Sequence, residues 1–178
     1  MFIDAELAKP ILKWTLDPNI REKYFTKPKV RLKGNVCGMS KTEMYNKKFH
    51  DAGFPYLEMF KIHQSILKNF DLPRDYPLDH YFGALISYSE DEHEVQPHTD
   101  PNDGKNIHTR FNVLISKPEK GGLGVINDEV IEVQENEVWV CAAGLYKHYS
   151  TKVEGTKPRI LLSFGHFIHP DKLETILN

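Results

Sequence analysis

Two hydrophobic periods divide this chain. Between Tyr56 and Phe70 the residues Tyr56, Met59, Phe60, His63, Ile66, Leu67 and Phe70 recur at intervals of three and four, which lays one stripe along a helix. Pro55 suits the first turn, and Pro73 stops the helix beyond Phe70. The stripe makes this helix a support for a sheet, and His63 upon it reads as a packed core histidine rather than a ligand.

From Tyr81 onward the period shortens to two. Short strands are predicted over 82–88, 95–99, 108–116, 123–127, 130–133, 138–142, 146–153 and 159–167, with turn residues between them. In 108–116 the alternation puts Phe111, Val113 and Ile115 on one face and Arg110, Asn112 and Leu114 on the other. The tail 170–178 suits a short helix. Strands at this spacing predict an all-β sandwich or barrel, for which the double-sheet jelly roll is the natural candidate. The expected class is therefore mainly β with supporting N-terminal helices. One domain spans 1–178, with a supporting region over 1–80 and a jelly-roll core over 81–169.

The first thirty-five residues carry weaker signals. Leu7, Ile11, Leu12 and Trp14 have helical spacing, but Pro10 interrupts it. Asp17-Pro18-Asn19 reads as a turn, residues 27–33 as a basic, solvated edge segment, and residues 34–40 as a loop.

Composition narrows the class. At 178 residues the chain can bury a substantial core. With 40% hydrophobic and 27% charged residues it reads as a soluble globule. A net charge of -2 gives no electrostatic reason to expect nucleic-acid binding. Cys37 and Cys141 stand far apart in no metal-type spacing, so a disulfide framework is not expected and a reducing compartment fits. The start, Met1-Phe2-Ile3-Asp4, lacks the pattern of a signal peptide, and no apolar run is long enough to span a membrane. A cytoplasmic location is the expectation.

The candidate chemistry centres on Gln96-Pro97-His98-Thr99-Asp100. On an extended strand, positions i and i+2 share a face, so the imidazole and the carboxylate stand together. Pro97 marks an edge or bulge where a site can open. His148 comes after an apolar strand and a small-residue turn, on a neighbouring strand. Two histidines and one carboxylate form the facial triad that holds non-haem Fe(II) with open positions. Arg159 shares a face with Leu161 and Ser163. An arginine pointing into a small barrel demands an anion, and a dicarboxylate co-substrate supplies one, with Ser163 as an auxiliary hydroxyl. The alternative is an edge-strand arginine paired with Glu132 or Glu154.

These residues carry a resemblance. The segment 88–166 resembles the catalytic core of the Fe(II)/2-oxoglutarate-dependent dioxygenases, whose fold is a double-stranded β-helix. Tyr88, ten residues ahead of His98-Thr99-Asp100, the Gly121-Gly122 entry to the middle strands, and Glu135-Asn136-Glu137-Val138 resemble the prolyl-4-hydroxylase-like branch. The resemblance implies that His98, Asp100 and His148 bind Fe(II) and that Arg159 binds the distal carboxylate of 2-oxoglutarate. It also implies that Tyr88 lines the co-substrate pocket, assisted by Arg110 or Asn112. In many members a serine stands two residues after the arginine; here that place is Leu161, and Ser163 comes two later.

The implied activity is hydroxylation of a C–H bond, with O2 consumed and succinate and CO2 released. The substrate stays open among protein prolyl residues, free amino acids, small metabolites and nucleobases. Two other classes remain: a jelly-roll module that recognises a ligand without turnover, and a cupin-type enzyme that uses the metal without 2-oxoglutarate. Neither needs Arg159.

Overall fold

The computed structural model describes residues 1–26, 34–39 and 47–178. Its largest sheet has the order β1-β2-β11-β4-β8. These strands are Asn35–Met39, Ala84–Ser89, Arg159–Ile168, Ile107–Ser116 and Val138–Cys141 respectively. A second sheet has the order β3-β9-β6-β7, formed by Val95–His98, His148–Ser150, Gly124–Ile126 and Glu129–Ile131. A ribbon of β5 (Lys120–Gly121) and β10 (Val153–Glu154) joins the layers at one end. Every strand pairing among the described residues is antiparallel. Two facing antiparallel sheets with these crossovers make the jelly roll expected from the strand pattern.

The large sheet is buried on both faces for two different purposes. Phe111, Val113, Ile160, Leu162 and Phe164 are fully buried in one core with residues of α1 (Ala5–Leu16) and α4 (Tyr56–Asn69). Arg110, Asn112, Arg159 and Ser163, of opposite parity on the same strands, face a cavity between the sheets. The alternation read in 108–116 is thus the division between core and site.

Along α4 the buried stripe is Met59, Ile62, His63, Ile66 and Leu67. Ile62 is fully buried and Phe60, expected on the stripe, is 43% exposed, because it sits at the flank of the face centred on Ile66. His63 is a core residue, as its spacing implied.

Three expectations for the N-terminal region change. The helix α1 continues through Pro10. The missing N–H costs about 3 kcal/mol, and burial of Ala8, Ile11, Trp14 and Thr15 on one face offsets it. Asp17-Pro18-Asn19 is a junction rather than a free turn: Asp17 ends α1, and its carboxylate accepts from the Asn19 N–H to cap α2 (Pro18–Tyr24). Most of the loop placed at 34–40 is strand β1, paired along its length with β2. Its sequence hides this because Gly38 breaks the alternation. The glycine is there because a Cβ would lie 2.8 Å from the Phe82 ring that crosses it. The basic segment at 27–33 lies outside the described residues. A short α3 (Lys47–Asp51) and a C-terminal α5 (Pro170–Leu177) complete the helices described. No helix of the described residues is long and apolar enough to cross a membrane.

Candidate active site

His98 and His148 are register partners across the antiparallel pair β3–β9. Directly opposed residues point to the same side of a sheet, and the two ring centroids lie 4.2 Å apart. β3 is an edge strand, and its register shifts between Val95 and His98, around the exposed Pro97. Asp100 stands just past the strand end, anchored by its N–H donating to Ala143 O at 2.8 Å. One ligand atom from each of His98, Asp100 and His148 lies within 4.8 Å of the other two.

The backbone fixes the tautomers. His98 Nδ1 faces Gln96 O at 2.7 Å and His148 Nδ1 faces Tyr146 O at 3.1 Å. A carbonyl only accepts, so each Nδ1 carries a proton, and in the neutral ring it is Nε2 that keeps the lone pair. His98 Nε2 is 3.6 Å from Asp100 Oδ1. Burial lowers the His148 pKa, which favours this neutral form. Burial would raise the Asp100 carboxyl, but His108, His148 and His98 hold it below the usual carboxylate range. Two imidazoles presenting Nε2 and a carboxylate are the donor set of a divalent transition metal.

Arg159 lines the same cavity, whose volume is about 150 Å³. It is 4% exposed, and its Nε has no hydrogen-bond partner among the described residues. Burial pushes its pKa down to about 10, with no carboxylate among the described residues to oppose the shift. The edge-strand alternative does not hold: β11 lies between β2 and β4, and Glu154 pairs with Lys120. A buried guanidinium without an anion is expensive. The backbone makes room for it at Gly122, where a Cβ would lie 3.1 Å from Arg159 Cδ.

The other expected co-substrate residues are placed differently. Ser163 Oγ accepts from Arg110 Nε at 2.9 Å and donates to Asn112 Oδ1 at 2.7 Å, so its hydrogen is committed within the protein. Arg110 is neutralised by Asp79, with Nη1 3.2 Å from Oδ2. Arg110, Asn112 and Ser163 all line the cavity, but as one interlocked group. Tyr88 does not line it. It occupies the opposite face of β2, in the helix-side core, with the Arg21 guanidinium 4.4 Å from its ring centre. Leu85 and Ser87 are the β2 residues that reach the cavity. The period of two explains this, since Tyr88 differs in parity from both.

Two residues of the site went unread in the sequence. His108 Nδ1 lies 3.1 Å from Asp100 Oδ2, and its Nε2 lies 3.1 Å from Asp79 Oδ2. The first contact is too oblique for a well-formed hydrogen bond, and the buried Nδ1 has no other partner among the described residues. Burial would lower the His108 pKa, but Asp100 and Asp79 raise it above the ordinary value. His108 shares parity with Arg110 and Asn112 and was legible on that ground. Asp79 precedes its strand by five residues and carries no pattern.

No family model and no curated protein matches the sequence. Solved structures do match. A prolyl-4-hydroxylase from Pseudomonas putida is 12% identical, with 94% of this chain and 89% of that chain covered and a TM-score of 0.60. A prolyl hydroxylase from Trichoplax adhaerens, in complex with a hypoxia inducible factor peptide, is 10% identical over 99% of this chain and 84% of that one, at TM-score 0.65. HygX from Streptomyces hygroscopicus, with nickel and 2-oxoglutarate bound, is 9% identical over 93% and 80%, at TM-score 0.60. The likeness drawn from the sequence to the prolyl-4-hydroxylase-like branch is thus repeated at the level of the fold, and the chain has the double-stranded β-helix of these oxygenases.

Proposed function

We propose that this chain is a 2-oxoglutarate-dependent Fe(II) hydroxylase. In this reading His98, Asp100 and His148 would hold the metal, and Arg159 would take the distal carboxylate of 2-oxoglutarate. Arg159 carries the proposal: a buried cation without a paired anion among the described residues opens into the cavity that also holds the triad. A ligand-free scaffold has no use for that charge, and a metal centre acting without a dicarboxylate has none either.

Fe(II) at this triad would supply the oxygen chemistry that no side chain possesses. The chain's own part is to bind, orient and exclude. Arg159 presents a planar fork for a bidentate carboxylate contact. The backbone carbonyls of Gln96 and Tyr146 keep the two histidines facing inward. Val36, Phe82, Val95 and Ile126 supply apolar wall, suited to a substrate offering an unactivated C–H bond away from bulk water. A protein prolyl residue or a small molecule fits this description.

The experiment is succinate release from 2-oxoglutarate by the Fe(II)-loaded protein, monitored by NMR against a panel of prolyl peptides, amino acids and small metabolites. One substrate should raise succinate formation in step with its own oxidation, and His148→Ala should abolish both. Failure to consume 2-oxoglutarate with any substrate or alone would contradict the proposal.

A further inference from the structure

Asp79 is fully buried and saturated with contacts. Its Oδ1 accepts the N–H groups of Tyr81, Phe82 and Gly83 at 2.7, 2.9 and 3.1 Å. Its Oδ2 takes Arg110 and His108. Room for this carboxylate exists because residue 165 has no side chain: a Cβ there would stand 1.7 Å from Asp79 Oδ2 and 2.5 Å from Arg110 Nη1. Five donors thus hold Asp79, and Asp79 in turn holds one edge of the His108 ring. The other edge faces Asp100 Oδ2 at 3.1 Å. Tyr81 packs against the ring edge-on, with centroids 6.0 Å apart, and Phe167 lies 5.3 Å away. The imidazole is 2% exposed, so water does not compete for Nδ1.

We propose that His108 is a positioning residue for the metal centre: clamped by Asp79, it sets the orientation of the Asp100 carboxylate from the Oδ2 side, with Oδ1 turned towards His98. The proposal rests on the triad being a metal site. Its logic is that of any outer partner of a ligating carboxylate, which selects one-oxygen over two-oxygen coordination by engaging the second oxygen. Asp100 Oδ2 stands 3.1 Å from the buried Nδ1, which has no well-directed hydrogen bond among the described residues, and leaving such a nitrogen unsatisfied is costly, so a small turn of the carboxylate towards it is favoured. The same Asp79 orders Tyr81, Phe82 and Gly83, so the loop that carries Phe82 into the cavity wall and the carboxylate that binds metal share one anchor.

The test is Co(II) binding to the full chain, read by titration and by the visible absorption of the bound ion, with folding checked by circular dichroism. His108→Asn places an amide nitrogen near the position of Nδ1, towards Asp100. His108→Gln places one near Nε2, towards Asp79, and His108→Leu removes both. Wild type and H108N should bind Co(II) within about threefold of each other with similar spectra. H108Q and H108L should lose about ten- to a hundredfold in affinity and show an altered spectrum. Wild-type affinity and spectrum in H108Q or H108L would overturn the positioning role while leaving the triad intact. If H108L fails to fold, the Asn and Gln pair decides. Loss of fold in all three would assign His108 to the core and overturn the proposal too. Absence of Co(II) binding by wild type, or undiminished binding by His148→Ala, would remove the metal site itself and the proposal with it.

Discussion

His63 and His166 stack in the core with their Nε2 atoms 3.1 Å apart and their rings 13° from parallel. His166 Nδ1–H donates to Pro77 O at 2.7 Å, so its Nε2 is an acceptor and His63 Nε2–H is the donor. His166 must be neutral for this pair to form, since its Nε2 supplies the lone pair. Burial, reinforced by the mutual repulsion of the two rings, holds the His63 pKa at about 3. Burial, opposed by the Pro77 carbonyl, holds that of His166 at about 4.

Acid should therefore weaken the fold in a defined window. Below the ordinary histidine value of 6.5 the unfolded chain takes up protons that the folded pair refuses, so the contribution is complete above pH 6.5 and is lost as pH falls towards 4 and then 3. The raised His108 acts in the opposite sense. Replacing both His63 and His166 by leucine isolates the pair. The wild-type urea midpoint should drop by an amount worth a few kcal/mol between pH 7 and pH 4.5, and the double variant should drop less. Equal drops would contradict this.

Ser163→Ala should cost stability more than co-substrate binding. Its hydroxyl joins Arg110 to Asn112, and removal leaves a buried donor and acceptor unsatisfied. A loss of about 1–3 kcal/mol is expected in chemical denaturation. Affinity for 2-oxoglutarate should change less than in Arg159 variants. A large affinity loss at unchanged stability would restore the serine to the co-substrate pocket.

Gly122→Ala should disturb both the ribbon end and Arg159. Gly122 has φ +61°, and an added Cβ would meet Pro118 Cγ at 2.9 Å and Arg159 Cδ at 3.1 Å. The backbone strain alone is about 1–2 kcal/mol. A lowered melting temperature and several-fold weaker 2-oxoglutarate binding are expected. Unchanged values of both would contradict the packing.

His148→Ala should lose divalent metal and keep its fold. The triad lies on β3, β9 and the loop after β3, whereas the apolar core lies on the far face of the large sheet. Isothermal titration with Mn(II) and a thermal melt give the two readings. Wild-type metal affinity would remove His148 from the site.

Parity decides which of these residues are legible in the sequence. Alternation is a strong signal on long strands buried on both faces, so it places Arg110, Asn112, Arg159 and Ser163 on the cavity side correctly. Tyr88 is assigned there through resemblance, against its parity, and lies on the other face. Strand β1 is hidden because Gly38 interrupts it for the sake of Phe82, a contact made across the fold rather than along the chain. Asp79 is hidden for the same reason: its importance comes from what Gly83, His108 and Arg110 bring to it.

The central claim is that one cavity holds a metal and a dicarboxylate together. Its most direct test is anaerobic titration of 2-oxoglutarate into the Mn(II)-loaded protein, for wild type, Arg159→Lys and Arg159→Met. The fork of Arg159 should form a charge-assisted bidentate pair worth ~1.5–3 kcal/mol. Arg159→Met should then lose about ten- to a hundredfold in 2-oxoglutarate affinity, Arg159→Lys should fall between, and Mn(II) affinity should stay the same in all three. Equal 2-oxoglutarate affinity in all three proteins, or no binding to wild type, would contradict the claim.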